Sequence, residues 1–164
     1  MPDLALQKIF DRLHNDLSRD TLIQTTTDKL RKTLEADRVV LYYFYYKWSG
    51  KVTFESLSDE KFSILGSTGP DECFNGDYAA LYEAGRVRAI SDIEAEPIQA
   101  CHRDYLRNMS VKANLVVSIV NERGLWGLLV AHQCQSTYAW TLAQVDAMKI
   151  AANSLATSQS IHDS

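Results

Sequence analysis

Two cysteines in this sequence stand in short motifs that suggest thiol chemistry. Cys101 is followed directly by His102, and Cys73 lies in the tetrapeptide Asp-Glu-Cys-Phe at 71–74. The thiolate is the nucleophilic form of cysteine, and nearby cationic groups increase its amount by lowering the thiol pKa. Such a thiol can attack an electrophilic carbon to form a thioether, exchange disulfides or bind a metal. A lone cysteine on a helix is, however, more often a small buried hydrophobe.

A zinc site is not expected from the cysteines and histidines. Cys101, His102, His132 and Cys134 are of ligand type, but they do not form the paired, closely spaced motifs of structural zinc sites. His132 and Cys134 are two residues apart on a predicted strand and therefore share a face. We expect core packing for Cys134 and no metal centre.

Composition limits the classes of function. The chain has 164 residues, 46% hydrophobic and 23% charged, which suits one soluble domain with a sizeable core. The net charge is −4 and no Lys/Arg cluster stands out, so nucleic acid and anionic membranes are not expected partners. We find no signal-peptide pattern, and no stretch approaches the ~20 apolar residues of a transmembrane helix. Three cysteines, an odd number, fit a cytoplasmic protein better than a secreted disulfide framework.

Periodicity predicts the elements that hold these residues. Helical spacing indicates amphipathic helices over 4–18 and from the N-cap Asp20 to about Ala36. A hairpin of strands 38–46 and 51–56 follows, with Trp48-Ser-Gly50 as its turn. The apolar helix faces are expected to include Leu13, Leu17, Leu22 and Leu34, and Leu142 and Leu155 in the last helix. The later segments are predicted to be a loop over 57–76, a short helix over 77–84 ended by Gly85, a strand over 87–90, a helix begun by Pro97 that carries Cys101, strands over 112–120 and 125–134, and a terminal helix over 141–161.

This order predicts a single α+β domain over residues 1–164. Strands that run between terminal helices favour a central antiparallel sheet. The terminal helices, about 4–36 and 141–161, would cover one face of it. The loops and short helices would cover the other face, where a ligand pocket is the natural site.

Longer motifs resemble a known family. Residues 37–44, Val111–Ile119 and Leu125–Cys134 are similar to strands of phytochrome-type GAF domains. The Cys-His pair on a helix before the second of these strands resembles the bilin-attachment site of the phytochrome superfamily. The Asp-Xaa-Cys-Phe motif resembles that of one subgroup, the dual-cysteine cyanobacteriochromes.

The resemblance implies a GAF fold and a linear tetrapyrrole, phycocyanobilin or phycoviolobilin. It implies that Cys101 is the permanent thioether anchor and that His102 packs near the pyrrole nitrogens. Cys73 would form a second, reversible thioether at the central methine bridge, which shortens the conjugated system. Asp71 would accept hydrogen bonds from pyrrole N–H groups and favour the protonated chromophore.

Further site residues follow from the same resemblance. His132 would contact the terminal pyrrole ring or its carbonyl, and Phe74 completes the motif around Cys73. Tyr105 is a candidate partner of the bilin propionates. Other candidates are Arg86, Arg88 and Lys112, whereas Tyr43 and Glu83 stand where related domains commonly carry basic residues.

The implied function is a photoreceptor module in which light isomerises the bilin between Z and E forms. Breaking and re-forming the Cys73 thioether would switch the domain between blue- or violet-absorbing and green-to-orange-absorbing states. The module is not expected to be an enzyme, although attachment is usually self-catalysed in the family. The terminal helices are expected to join neighbouring signalling domains of a larger receptor or a second copy in a homodimer.

Two other functions remain open from the residues alone. GAF-type reductases of free methionine sulfoxide use a nucleophilic and a resolving thiol near one another. GAF domains that bind cyclic nucleotides need no attached cysteine. Neither alternative accounts for the contexts of Cys73 and Cys101.

Overall fold

A five-stranded antiparallel sheet forms the centre of the molecule, with strand order β2-β1-β5-β4-β3. The computed structural model describes residues 4–46, 49–68 and 76–164. The α+β GAF architecture expected from the sequence is confirmed. The elements, in chain order, are α1 Leu4–Arg19, α2 Thr21–Leu34, β1 Arg38–Tyr46, β2 Ser49–Leu57, α3 Gly76–Glu83, β3 Val87–Ile90, α4 Ala100–Asn108, β4 Ala113–Asn121, β5 Gly124–Gln133, α5 Leu142–Ala156 and α6 Gln159–His162.

The terminal helices α1, α2 and α5 cover one face of the sheet, as expected. Side chains alternate between the two faces along a strand, so Val39 and Leu41 of β1 point into this helix layer. Helix residues such as Leu17, Leu34 and Leu155 are fully buried against them. At roughly 1.5–3 kcal/mol for each large apolar side chain buried, this layer supplies most of the stabilisation.

The opposite face carries a smaller apolar cluster. Val40 and Tyr42, the intervening residues of β1, join Val116 of β4 and Val130 of β5 there. Tyr82 of α3 packs on the same cluster. The face is therefore covered by short elements rather than by long helices, which leaves room for a pocket.

The loop after β2 is fastened to the outer edge of that strand. The Val52 amide donates to the Ser67 carbonyl and the Gly66 amide donates to the Val52 carbonyl, each at 2.9 Å. Between β2 and this contact lies one 3-10 turn at Glu60–Phe62. The attachment places residues 64–67 at the rim of the second face.

Several predicted boundaries of the N-terminal half are wrong. The structure places Ser49 and Gly50 inside β2 rather than in a turn, while Trp48 lies outside the described residues. Gly50 is needed there because a Cβ atom would lie 2.3 Å from the Tyr42 ring. Helix α2 ends at Leu34, since Glu35 adopts the left-handed conformation with φ of 53°.

The helix that carries Cys101 begins at Ala100 and not at Pro97. Arg103 explains the difference, because its guanidinium donates to the carbonyls of Ile93 and Glu96 at 3.0 and 2.7 Å. These bonds hold the preceding segment in an irregular turn.

The predicted terminal helix over 141–161 is two helices. The helix is interrupted after α5, and the Ser158 hydroxyl accepts a hydrogen bond from the Ile161 amide to cap α6. Leu22 and Leu142, placed on apolar helix faces by periodicity, are 39% and 84% exposed. Each lies at the first turn of its helix, outside the packed layer.

Candidate ligand pocket

An apolar pocket lies between the second face of the sheet and helices α3 and α4. It encloses about 650 Å³ of space when its open mouth is counted. Strands, the loop after β2 and the two helices all contribute to its wall. The lining residues are Val40, Tyr42, Val52, Ile64, Tyr82, His102, Tyr105, Leu106, Met109, Asn114, Val116, Leu128, Val130 and His132.

Helix α4, which carries Cys101, forms one wall of the pocket. His102, Tyr105 and Leu106 line the pocket because positions three and four apart share a helix face. Cys101 precedes them and is half-buried. Adjacent helical residues are ~100° apart, so Cys101 is turned away from His102 by about that angle around the helix.

His102 carries no charge at neutral pH. Its pKa is lowered from 6.5 to about 4, mainly by burial and to a smaller extent by the positive charges of Arg88 and Arg86. Burial likewise raises the pKa of the Tyr105 hydroxyl, which therefore stays protonated. Both groups can thus offer hydrogen bonds to a ligand without adding charge to the pocket.

His132 lies on the floor of the pocket with its proton position fixed. Arg38 Nε donates to His132 Nδ1 at 2.9 Å, and both side chains are buried. Arginine is only a donor, so Nδ1 must be the acceptor and the proton of the neutral ring must be on Nε2. Burial and the charge of Arg38 hold the pKa of His132 well below its usual range, which keeps the ring neutral.

Arg38 connects three segments around the pocket. Besides His132 it donates to the Phe62 carbonyl at 2.9 Å and to the Met109 carbonyl at 2.6 Å. Its exposure is only 1%, and burial lowers its pKa, although a guanidinium remains charged. No ion pair of Arg38 with a carboxylate occurs among the described residues. The guanidinium charge of Arg38 is therefore stabilised by hydrogen bonds to neutral acceptors.

Asn114 is the other polar group of the pocket floor. It lies on β4 directly opposite His132 on β5, and its side chain is 2% exposed. Its Oδ1 atom is buried and has no hydrogen-bond partner among the residues that the structure describes. A buried acceptor of this kind is rare in native proteins and requires an explanation.

The structure brings together only part of the predicted site. His102, Tyr105 and His132 line the pocket, and Cys101 directly precedes His102 on α4. Cys73, together with its motif neighbours Asp71 and Phe74, lies outside the described residues.

The remaining predicted residues that the structure describes are not among those that line the pocket. Cys134 is buried as expected, and burial raises the pKa of its thiol. Tyr43 lies on the helix side of the sheet, 5.0 Å from the Trp126 ring centre, so it cannot reach a ligand in the pocket. Lys112 is exposed, whereas Arg88 is half-buried and 3.5 Å from Glu96. No metal-binding group of three or more His, Cys, Asp or Glu occurs within the described ranges.

Sequence reasoning missed Arg38 and Asn114. Each is a single polar residue within an otherwise apolar strand, and that isolation is the only sequence signal. It shows that the residue is unusual but not which face it occupies.

Comparison with known proteins identifies the family. The GAF domain model matches residues 18–158. The chain belongs to the GAF domain family. An uncharacterised protein of Picosynechococcus is 47% identical over 156 residues, which cover 95% of this GAF domain and 96% of that protein.

Solved GAF domains share the architecture. The blue-light-absorbing form of the PixJ GAF domain from Thermosynechococcus elongatus is 33% identical, with a TM-score of 0.76 and coverage of 84% of this chain and 83% of that one. The phycocyanobilin-bound GAF domain of a cyanobacterial phytochrome is 28% identical, with a TM-score of 0.73 and coverage of 92% and 91%.

Other relatives are much longer proteins. The circadian input-output histidine kinase CikA of Synechocystis is 30% identical over 158 residues, and the match covers 82% of this GAF domain but only 21% of the kinase. Within the described part of this chain, no helix has the length and apolar character needed to span a bilayer.

Proposed function

We propose that this GAF domain is a photoreceptor module that binds a linear tetrapyrrole covalently in the pocket between α4 and the sheet. The observation that carries the proposal is the arrangement on α4, where the half-buried Cys101 directly precedes a neutral His102 that lines an apolar pocket. The likeness to the blue-light-absorbing PixJ domain and to a phycocyanobilin-bound GAF domain supports it.

Cys101 would anchor the chromophore permanently. Its sulfur would add to a vinyl-type carbon, forming a C–S bond, while the thiol proton goes to the neighbouring carbon. The domain itself would promote this step, without turnover as an enzyme. Because His102 and Tyr105 line the wall next to Cys101, they would pack along the attached bilin.

The chromophore, phycocyanobilin or phycoviolobilin, would supply light absorption and an isomerisable double bond. The neutral imidazoles of His102 and His132 would leave the positive charge of a protonated bilin to a carboxylate, the role we propose for Asp71. His132 would contact the terminal ring or its carbonyl.

Cys73 would form the second, reversible thioether that switches the colour. The motif carries this proposal, with Phe74 beside the thiol. Its support from the described residues is that Ile64 lines the pocket and Ser67 is bonded to Val52, so the loop that leads to the motif starts at the pocket rim. A short thioether-bonded system would absorb blue or violet light, and its release would give a green-to-orange state.

The alternative functions fit the pocket less well. Among the described residues that line it there is no Lys or Arg to bind the phosphate of a cyclic nucleotide. A reductase needs an accessible resolving thiol, whereas Cys134 is buried and its pKa is raised.

Output through the other domains of a larger signalling protein would suit the longer relatives. A homodimer through the terminal helices is the second route that we propose for output.

The test is co-production of the protein with the enzymes of phycocyanobilin synthesis. Cys101→Ala should lose most of the zinc-induced bilin fluorescence on a denaturing gel, because the permanent bond is absent. Cys134→Ala, the matched control, should keep it. Undiminished fluorescence of Cys101→Ala, or a colourless parent protein, would contradict the proposal.

A further inference from the structure

The sulfur of Cys101 is engaged in a covalent bond. Cys101 is disulfide-bonded, whereas Cys134 is a free cysteine. The chain has three cysteines, so the count leaves Cys73 as the expected partner, although Cys73 itself lies outside the described residues. The residue to which we assign the permanent bilin bond is therefore held as a disulfide in this structure.

A disulfide and a bilin thioether at Cys101 exclude one another. A cysteine sulfur forms one covalent bond besides that to its own Cβ, and the thiolate is the nucleophile that adds to carbon. Two electrons and two protons must first convert the disulfide into two thiols. The Cys101 thiol can then add to a vinyl-type carbon of the bilin.

The position of Cys101 suits a disulfide that is opened and closed. Cys101 is half-buried in the first turn of α4, so a dissolved thiol can approach its sulfur. Exposed disulfides are the labile, regulatory ones, and disulfides in a reducing cytoplasm are usually transient or redox-sensing. Cys134, in contrast, is 8% exposed and takes no part in the bond.

We propose that Cys101 is a redox-controlled residue, whose disulfide with Cys73 blocks bilin attachment until a dithiol reductant opens it. The dithiol supplies two electrons and two protons by thiol–disulfide exchange and leaves as its own disulfide. This inference rests on the proposed function, because attachment at Cys101 is the step that the disulfide controls. It adds that the protein accepts bilin only in its reduced form.

The disulfide can be tested on protein produced without bilin synthesis. Diamide takes two electrons and two protons from a pair of thiols, and dithiothreitol returns them. After denaturation, iodoacetamide should label one cysteine in the diamide-treated protein and three in the reduced protein. Trypsin places Cys73 in peptide 62–86, Cys101 in peptide 89–103 and Cys134 in peptide 124–149. The first two peptides should be linked only after diamide treatment.

The control of attachment is measured by adding phycocyanobilin after the diamide or dithiothreitol has been removed. Zinc-induced fluorescence on a non-reducing denaturing gel should rise roughly tenfold or more slowly in the oxidised parent, because its Cys101 has no thiolate. Cys73→Ser should attach bilin at the rate of the reduced parent after either treatment. Cys134→Ser is the matched control and should keep the difference between oxidised and reduced protein.

The outcomes separate this inference from the proposed function. Equal attachment rates in the oxidised and reduced parent, three labelled cysteines after diamide treatment, or a link to the peptide of Cys134 would each show that the inference is wrong while the photoreceptor stands. If the reduced parent attaches no phycocyanobilin, the proposed function itself fails. Steady consumption of dithiothreitol on addition of free methionine sulfoxide would assign the disulfide to a reductase and overturn the redox control of attachment.

Discussion

Replacement of Arg38 by Met should destabilise the free protein by about 1–5 kcal/mol. The substitution leaves three acceptors without these donors, namely the buried His132 Nδ1 and the half-buried carbonyls of Phe62 and Met109. Each buried acceptor without a partner costs about 1–3 kcal/mol. Loss of a buried charge and burial of the apolar Met side chain offset part of that sum, by about 2–4 kcal/mol.

Urea unfolding followed by circular dichroism measures this free energy of unfolding. Arg38→Lys is the control, because an ammonium keeps the charge but lacks the planar fork that reaches three acceptors. It should lose less stability than Arg38→Met. Nitrogen NMR of labelled histidine gives a second readout, since His132 should be a single Nε2–H tautomer in the parent and a mixture in Arg38→Met. A loss below about 1 kcal/mol, with an unchanged tautomer, would refute the role of Arg38.

Two further predictions concern His102 and Cys73. Because the folded-state pKa of His102 is about 4 and the ordinary value is 6.5, its contribution to stability is complete above pH 6.5 and is lost as the pH falls towards 4. Between pH 6.5 and pH 4 the urea midpoint of the free protein should fall by less in His102→Gln than in the parent. An equal fall of the midpoint in the two proteins would show that the His102 pKa is not lowered. Cys73→Ala should keep bilin on Cys101 yet form no blue-absorbing state in absorption spectra recorded before and after illumination. A blue state like the parent's would mean that Cys73 is incidental.

Most helices and strands could be predicted because their formation depends on residues that are close together in the sequence. The 3.6-residue spacing and the Asp20 cap fixed the second helix, and alternation with β-branched and aromatic residues fixed β1. Errors arose where a distant or side-chain contact decides the boundary. The Arg103 side chain donates hydrogen bonds to two backbone carbonyls before Ala100, so the segment there is not helical. Gly50 belongs to its strand because the Tyr42 ring packs over it.

The site was predictable only along α4. A helix face follows from spacing, so the motif around Cys101 also placed His102 and Tyr105. The floor could not be derived in this way, because a strand buried on both faces shows no alternation that assigns its polar residue to a side. Arg38, His132 and Asn114 meet through the register of three strands, which is a non-local property.

The attachment of residues 64–67 to β2 also affects how the protein behaves at high concentration. β2 is an edge strand, and unpaired backbone groups at an edge can pair with the edge of another molecule. The bonds between Val52 and the loop occupy both backbone groups at the middle of that edge. An engineered protein with this loop shortened would therefore expose a template for intermolecular strand pairing and should aggregate more readily than the parent.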